Sequence, residues 1–232
     1  MLHKPLNAFR RWRAGLPVRG GVSPEVPNDA YQALLAVYAF ASRFAAGARV
    51  LDLRCGTGYG SVYLREAAEV VGLDPDGRNL AYARKRFPGV QLIQAEAPPE
   101  DLGTFGLVLA VSLLAHLPSP APVVDWAARH LEPEGVFVAS VPPIVDELTM
   151  EQHKASGIHR VSLYLWSWEA LFRRRFKEVR IYGTVPPDGL DLSRPSPSRF
   201  RVSDFRFEEV HPSRPASAGS LSAVLVGRGP AG

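Results

Sequence analysis

Val50-Leu51-Asp52-Leu53-Arg54-Cys55-Gly56-Thr57-Gly58-Tyr59-Gly60 is the stretch of sequence that decides the fold. It joins a short apolar strand to a G-x-G-x-G loop, and a helix is predicted from Ser61 to Ala68. Glycines allow a backbone to turn sharply and to approach a ligand closely. A glycine triplet alone is weak evidence, but its place between a strand and a helix favours a ligand-binding loop.

Two acidic residues accompany this loop. Asp74 ends the second predicted strand, where an acid in a doubly wound sheet can accept hydrogen bonds from both ribose hydroxyls. Asp52 lies inside the first strand, four residues before Gly56, and suits a positively charged ammonium better than a pyrophosphate. The two acids therefore favour S-adenosylmethionine over NAD, and a nicotinamide-dependent oxidoreductase is the remote alternative.

The remaining sequence alternates predicted strands and helices. Strands are expected at 49–53, 70–73, 90–94, 105–111 and 135–141, with helices at 29–46, 61–68, 78–87 and 123–131. This rhythm predicts an α/β fold with a mostly parallel, doubly wound sheet that helices cover on both faces. The rhythm changes after Pro142, with a helix at 166–176 and strands at 178–182 and 221–227. Because no clear helix separates the last two strands, they are predicted to pair antiparallel.

Length and composition predict one globular domain with an N-terminal appendage. The chain has 232 residues, 46% of them hydrophobic and 22% charged, which excludes wholesale disorder. We expect an irregular arm over 1–27 and a single domain over 28–232, with 185–219 inserted before the last strand. The lone cysteine, Cys55, excludes an intrachain disulfide and a zinc site built on several thiolates, and no metal is predicted. Neither a secretory signal nor a membrane span is recognised, and a cytoplasmic location is expected.

The basic residues leave a nucleic-acid partner open. The net charge is +4, and 23 of the 27 basic residues are arginines. Arginines cluster near the N-terminus, at Arg10, Arg11, Arg13 and Arg19, and again at Arg173 to Arg175. Either cluster could bind phosphate groups, or could simply be a solvated surface.

Several segments together resemble class I S-adenosylmethionine-dependent methyltransferases. VLDLRCGTGYGS resembles their motif I, and VVGLDPD resembles their second motif. QLIQAEA, FGLVLAVSLLAHLP and LEPEGVFVASVPP resemble the third-, fourth- and fifth-strand segments, and GIHRVSLYLWSWEALFRRRFKEVRIYG resembles a segment of the small-molecule group. The resemblance implies a Rossmann-like sheet of seven strands, with the last strand antiparallel beside the fifth. It also implies methyl transfer to a small molecule by in-line displacement.

The resemblance further implies a set of cofactor contacts. These are Asp52, Gly56, Thr57 and Gly58 at the methionine end, Asp74 at the ribose, Pro75, Glu96 and Ala97 at the adenine, and Val111 and Ser112 closing the methionine side. Each acid also has a structural alternative. Asp52 could satisfy loop amides, Asp74 could cap a helix, and Glu96 could simply be exposed.

The sequence indicates a general base less clearly than it indicates the cofactor contacts. Methyl transfer from a sulfonium chiefly requires that the acceptor be aligned with the methyl–sulfur bond. An acceptor that is a hydroxyl or a carbon acid can also require a general base. The candidates are His116, His159 and Tyr31, in that order, and His153 is expected at the surface. Leu113 and Ala115 replace acids that are common in this family, which keeps a non-catalytic cofactor-binding protein open beside an RNA-modifying enzyme.

Overall fold

The computed structural model of the protein describes residues 27–193, 197–212 and 220–231, and eight strands in these ranges form one sheet. The strands are β1 (Arg49–Leu53), β2 (Glu69–Asp74), β3 (Gln91–Gln94), β4 (Phe105–Ala110), β5 (Leu131–Val141), β6 (Phe176–Val185), β7 (Arg206–Glu209) and β8 (Ala223–Pro230). The helices are α1 (Asp29–Ala41), α2 (Gly77–Arg86), α3 (Ala121–Arg129), α4 (Glu147–Ser156) and α5 (Leu165–Arg173).

The topology of the sheet confirms the predicted fold class. The strand order is β3-β2-β1-β4-β5-β8-β6-β7, with β1 to β5 parallel. The last strand, β8, lies antiparallel between β5 and β6, as predicted. Because the strand order reverses between β1 and β4, the loops that follow these two strands diverge and open a crevice at their carboxyl ends.

The predicted number of strands, seven, is wrong by one. The additional strand, β7, pairs antiparallel with β6 at the edge of the sheet and comes from the inserted segment 185–219. Its sequence, Arg-Phe-Glu-Glu, contains one apolar residue and lies in a stretch rich in Pro, Ser and Arg. An exposed edge strand of this length leaves no apolar alternation by which the sequence could reveal it.

The helix predicted at 61–68 is also wrong. A 3₁₀ turn occupies Tyr59–Tyr63, and the chain then bends back toward the start of β1. The Ala68 amide donates to the Ala48 carbonyl at 2.9 Å, and the Gly47 amide donates to the Glu66 carbonyl at 2.8 Å. These long-range hydrogen bonds take the backbone groups that a continuing helix would need, so tertiary contacts override local helix propensity.

One helix, α4, lies where no helix was predicted. It begins after Asp146, whose carboxylate accepts a hydrogen bond from the Thr149 amide at 2.8 Å in a capping box. It ends at Gly157, which adopts a left-handed conformation with φ of 59°. An N-cap Asp and a C-terminal Gly are readable helix signals, so this helix could have been found from sequence.

The core fills both faces of the sheet. Helix α1 covers one face, and α3 and α5 cover the other. Trp168 and Phe172 of α5 are fully buried, and the Phe172 ring stacks on Phe137 of β5 with centroids 5.2 Å apart. Large aromatic residues in such positions contribute a major share of hydrophobic stabilisation.

The predicted boundaries are only partly within the described residues. The arm, apart from Pro27, lies outside them, as do 194–196 and 213–219 of the insertion. Across the described part of the chain, every helix is too short or too polar to cross a membrane.

Trp168→Ala should destabilise the fold strongly, because it opens a cavity in the core beneath α5. We expect the free energy of unfolding to fall by about 3–5 kcal/mol in urea titrations. The matched control is Trp166→Ala, two residues away on the same helix, where the side chain is 57% exposed and stacks only on Tyr164. The control should cost about 1 kcal/mol or less, and equal losses in the two variants would contradict the described packing.

Candidate functional site

The candidate site lies at the carboxyl ends of β1 and β4, where the strand order reverses. The residue after β1, Arg54, has φ of 64°, and Ser112, two residues after β4, has φ of 52°. Non-glycine residues in the left-handed region are strained by about 1 kcal/mol or more and persist where their surroundings fix them. The Ser112 amide is fixed by donation to the Ser140 hydroxyl of β5 at 2.8 Å.

The glycine loop packs too tightly to carry larger side chains. Gly56 and Gly58 are both left-handed, with φ of 58° and 75°. A Cβ on Gly58 would lie 2.9 Å from the Phe87 ring at the end of α2, and a Cβ on Gly60 would overlap the ring of Tyr38. The loop therefore packs closely against the end of α2 on one side and against α1 on the other.

The carboxylate of Asp74 holds the loop in place. One oxygen accepts a hydrogen bond from the Gly56 amide at 3.0 Å, and the other accepts from the Asp76 amide at 2.9 Å and the Asn79 side chain at 3.2 Å. Asp76, rather than Asp74, is the N-cap of α2, since its carboxylate accepts from the Arg78 amide. A carboxylate offers about four acceptor positions, so these three contacts leave Asp74 capacity for one more donor.

Asp52 is the most strongly perturbed acid at the site. It is fully buried, and the hydroxyl of Tyr38 lies 3.1 Å from each of its carboxylate oxygens and donates to them. Burial raises the pKa of Asp52 to about 7; the Tyr38 hydrogen bond lowers it, and the nearby charge of Asp74 raises it further. Within the described ranges, Asp52 has no cationic partner, so a ligand that brings a positive charge would relieve its desolvation.

Aromatic side chains from α1 cover the loop. The Tyr31 and Tyr59 rings lie 5.6 Å apart, and the Tyr38 ring meets Tyr59 edge-on at 5.8 Å. Burial, with smaller contributions from Tyr63 and Tyr82, raises the pKa of Tyr31 to about 12. The Tyr31 phenol therefore keeps its proton at neutral pH and can donate a hydrogen bond.

The two predicted histidines come together beside β4. The ring of His116 stacks on His159 at 4.5 Å, and His159 stacks in turn on His153 of α4 at 4.4 Å. The Ala115 carbonyl ties the two segments together by accepting from the Arg160 and Val161 amides. The sequence expectation that His153 lies at the surface is wrong, since its ring is half-buried in this stack. The contact of His153 with His159 could be predicted only together with α4, because that helix brings the two rings together.

The remaining predicted contacts follow the order of the strands. Pro75 follows β2, and its carbonyl accepts a hydrogen bond from the Gln94 side chain at 3.1 Å. Glu96 and Ala97 are exposed beyond β3, whereas Val111 is buried after β4, and Thr57 is half-buried in the loop. These residues thus lie at the same carboxyl edge, on the loops that follow β1 to β4.

The raised pKa of Asp52 predicts a pH-dependent cost to folding. The folded protein holds this proton more tightly than the unfolded chain, so the ionisation of Asp52 reduces stability as pH rises from about 4 to about 7. Relative to Asp52→Asn, the wild-type free energy of unfolding should fall across this window and level off above it. The fall should amount to a few kcal/mol, since each pKa unit corresponds to about 1.4 kcal/mol.

Urea titrations across this pH range measure the effect. Asp76→Asn is the control, because its ion pair with Arg78 holds the pKa of Asp76 below its usual value. Its contribution is lost only at more acidic pH, so the control should show a flat difference in the same window. A flat difference for Asp52→Asn as well would contradict the assignment.

Comparisons with known proteins agree with this geometry. Residues 51–139 match the family described as Methyltransferase domain. A probable S-adenosylmethionine-dependent methyltransferase of Mycolicibacterium smegmatis is 36% identical over 110 residues, which cover 46% of this chain and 42% of that protein. A trans-aconitate 2-methyltransferase of Rhizobium leguminosarum is 30% identical over 182 residues, covering 73% and 64%. The chain thus spans less than two thirds of the length of these curated relatives.

A solved structure shares the fold across nearly the whole chain. It is a SAM-dependent methyltransferase of Thermotoga maritima, described as a possible histamine N-methyltransferase, with a TM-score of 0.64 and 19% identity. The superposition covers 96% of this chain and 95% of that one. The match to a methyltransferase domain over residues 51–139, a range that contains the glycine loop and both acids, indicates a class I S-adenosylmethionine-dependent methyltransferase domain.

Proposed function

We propose that this protein transfers a methyl group from S-adenosylmethionine to a small-molecule acceptor by in-line displacement. The observation that carries the proposal is the pair of buried carboxylates, Asp52 and Asp74, at the two sides of one tight glycine loop. When bound, S-adenosylmethionine supplies a methyl carbon on a positively charged sulfur, which is already activated for displacement. The protein must then bind the acceptor, orient it toward the methyl carbon and exclude water.

The residues present fit this cofactor. The carboxylate of Asp52, buried without a cationic partner among the described residues, suits the ammonium of the methionine end. Asp74 retains capacity for a ribose hydroxyl, beside the amides of Gly56 to Gly58. Pro75 with Glu96 and Ala97 would border the adenine. A pyrophosphate in place of the ammonium would be repelled by the negative charge of Asp52, which argues against NAD.

The acceptor side is best supported at the histidine stack. His116 lies in the turn that follows β4, and His159 stacks on it from the segment between α4 and α5; we assign one of them to receive the acceptor's proton where the acceptor has one to lose. Tyr31, with its raised pKa, serves as a hydrogen-bond donor in the wall rather than as a base. An acceptor that is already anionic would need no base. The Rhizobium relative, named for trans-aconitate, supports an organic acid as one class to test.

The described residues do not favour the two alternative functions. In the second arginine cluster, Arg173 pairs with Glu169 at 2.7 Å and Arg175 pairs with Asp125 at 2.6 Å, so two of its three charges are already neutralised. The N-terminal cluster lies outside the described residues. Leu113 and Ala115, the departures that motivated a non-catalytic protein, are buried core residues whose apolar character serves packing.

Cofactor binding is tested first by calorimetry. The protein should bind S-adenosylhomocysteine with a Kd of about 1 μM or tighter and should not bind NAD. Asp74→Ala should weaken binding by about 1.5–3 kcal/mol, since it removes a charged hydrogen-bond acceptor. The control is Glu69→Ala at the opposite end of β2, where the carboxylate makes an exposed ion pair with Arg49. An unchanged Kd in folded Asp74→Ala would reject the ribose assignment.

Acceptor chemistry is tested by transfer of labelled methyl groups to a panel of small hydroxyl, amine and carboxylic acid compounds. For an acceptor with a proton to lose, His116→Ala should reduce kcat/KM about 100-fold while S-adenosylhomocysteine still binds. The wild-type rate should also fall at acidic pH, because a protonated imidazole cannot accept a proton. His211→Ala, outside the stack, should leave the rate unchanged. If His116→Ala retains full activity and the same pH profile, His116 is not the base.

A further inference from the structure

A groove runs along α1, outside the crevice at the sheet edge. Gln32, Ala36 and Ala39 lie at helical spacing on one face of α1 and line one side of it, together with Arg43 of the 3₁₀ turn that follows the helix. The insertion lines the other side with the 3₁₀ turn Val202–Asp204 and with β7. The groove has a volume of about 690 Å³, a size typical of small-molecule sites.

The insertion that forms this groove is anchored at the start of α1. The Asp191 amide donates to the buried carboxylate of Asp29 at 2.9 Å, and the Ser198 amide donates to the Pro27 carbonyl at 2.7 Å. The edge strand that follows, β7, is the strand that is additional to the predicted seven. One side of the groove is therefore formed by an addition to the predicted seven-stranded sheet.

The floor of the groove is aromatic. Phe40 and Phe205 are buried beneath it, and the rings of Phe40 and Phe207 approach to 4.5 Å. The ring of Tyr63 lines the end nearest the glycine loop. Two alanines, Ala36 and Ala39, occupy the helix positions where larger side chains would fill the space. Tyr63 and Phe207 are only partly buried, so an occupant would gain stability by covering their rings.

The rim of the groove is cationic. The Arg43 guanidinium lies 3.7 Å above the Phe40 ring, and its Nε donates to the Phe40 carbonyl at 2.9 Å, which fixes its position. No carboxylate in the described ranges forms an ion pair with Arg43 or with Arg201 on the opposite rim. The one acid on the adjoining turn, Asp204, accepts a hydrogen bond from the Arg201 amide at 2.8 Å.

We propose that this groove binds a small amphipathic anion, a carboxylate on an aromatic or short aliphatic body, at a site separate from the cofactor crevice. The fixed guanidinium of Arg43 can pair with a carboxylate, Arg201 on the opposite rim adds a second positive charge, and an aromatic floor suits the apolar body. The separation follows from α1, because its Tyr38 faces Asp52 while the groove uses the neighbouring helix face. The proposal does not depend on methyl transfer.

Cinnamate and its neutral analogue cinnamyl alcohol are the probes. By calorimetry on the full chain, cinnamate should bind with millimolar or tighter affinity, and the alcohol should bind at least about tenfold more weakly. Arg43→Gln and Arg201→Gln should each weaken cinnamate about tenfold, and Ala39→Trp, which fills the groove, should abolish binding. Saturating S-adenosylhomocysteine should leave the cinnamate stoichiometry unchanged.

Arg228→Gln is the matched control, since its guanidinium also lies over an aromatic ring, Phe44, at 5.0 Å but outside the groove. It should bind cinnamate like the wild type. The proposal is overturned if the alcohol binds as well as cinnamate, if the control weakens binding as much as Arg43→Gln, or if S-adenosylhomocysteine displaces the probe. Circular dichroism and urea midpoints like those of the wild type would show that each variant remains folded.

Discussion

The hydrogen bonds to the Asp74 carboxylate join three parts of the chain that the sequence separates. Asp74 ends β2, Gly56 lies in the loop after β1, and Asn79 lies in the first turn of α2. Without the Asp74 carboxylate, the Gly56 amide would lose its hydrogen-bond partner. A buried amide without a partner costs about 1–3 kcal/mol, so this loss would destabilise the left-handed turns of the loop. The position of the loop, and with it the shape of the crevice, depends on this one carboxylate.

Asp52 shows that the same region carries a cost in folding free energy, which a positively charged ligand would reduce at neutral pH. A fully buried acid opposes folding unless it is protonated or paired, and Tyr38 supplies one neutral donor where a cation would be stronger. A strongly perturbed acid in a crevice of this kind is typical of a functional site. The neighbouring loop and strands are stable enough to hold it there, since β1 is paired on both sides, with β2 and with β4.

The sequence predicted the first five strands well because each is an apolar run that stops at a clear turn signal. The set of cofactor residues came from the resemblance to the methyltransferase family and stays a prediction, although the loops after parallel strands do meet at one edge. The sequence could not show that Tyr38 donates to Asp52, since the two residues are 14 positions apart and only the packing of α1 brings them together. The errors at 61–68 and at β7 share a cause, because hydrogen bonds to distant segments decided both structures. His153 was misplaced for a simpler reason, since the helix that carries it was overlooked despite readable caps.

The two halves of the site are built from separate parts of the chain, and this separation bears on how acceptor choice can vary. The cofactor half consists of the loops after β1 to β3 with the acids Asp52 and Asp74, and its backbone is fixed by hydrogen bonds and close glycine packing. The proposed acceptor half consists of α1, the turn at His116 and the segment that contains α4. Its contacts are largely ring stacking and two hydrogen bonds, which the Arg160 and Val161 amides donate to the Ala115 carbonyl. Side chains there can change shape and charge without moving the glycine loop. Leu113 and Ala115 lie in the core beneath this half, so their replacement of acids leaves the cofactor half intact.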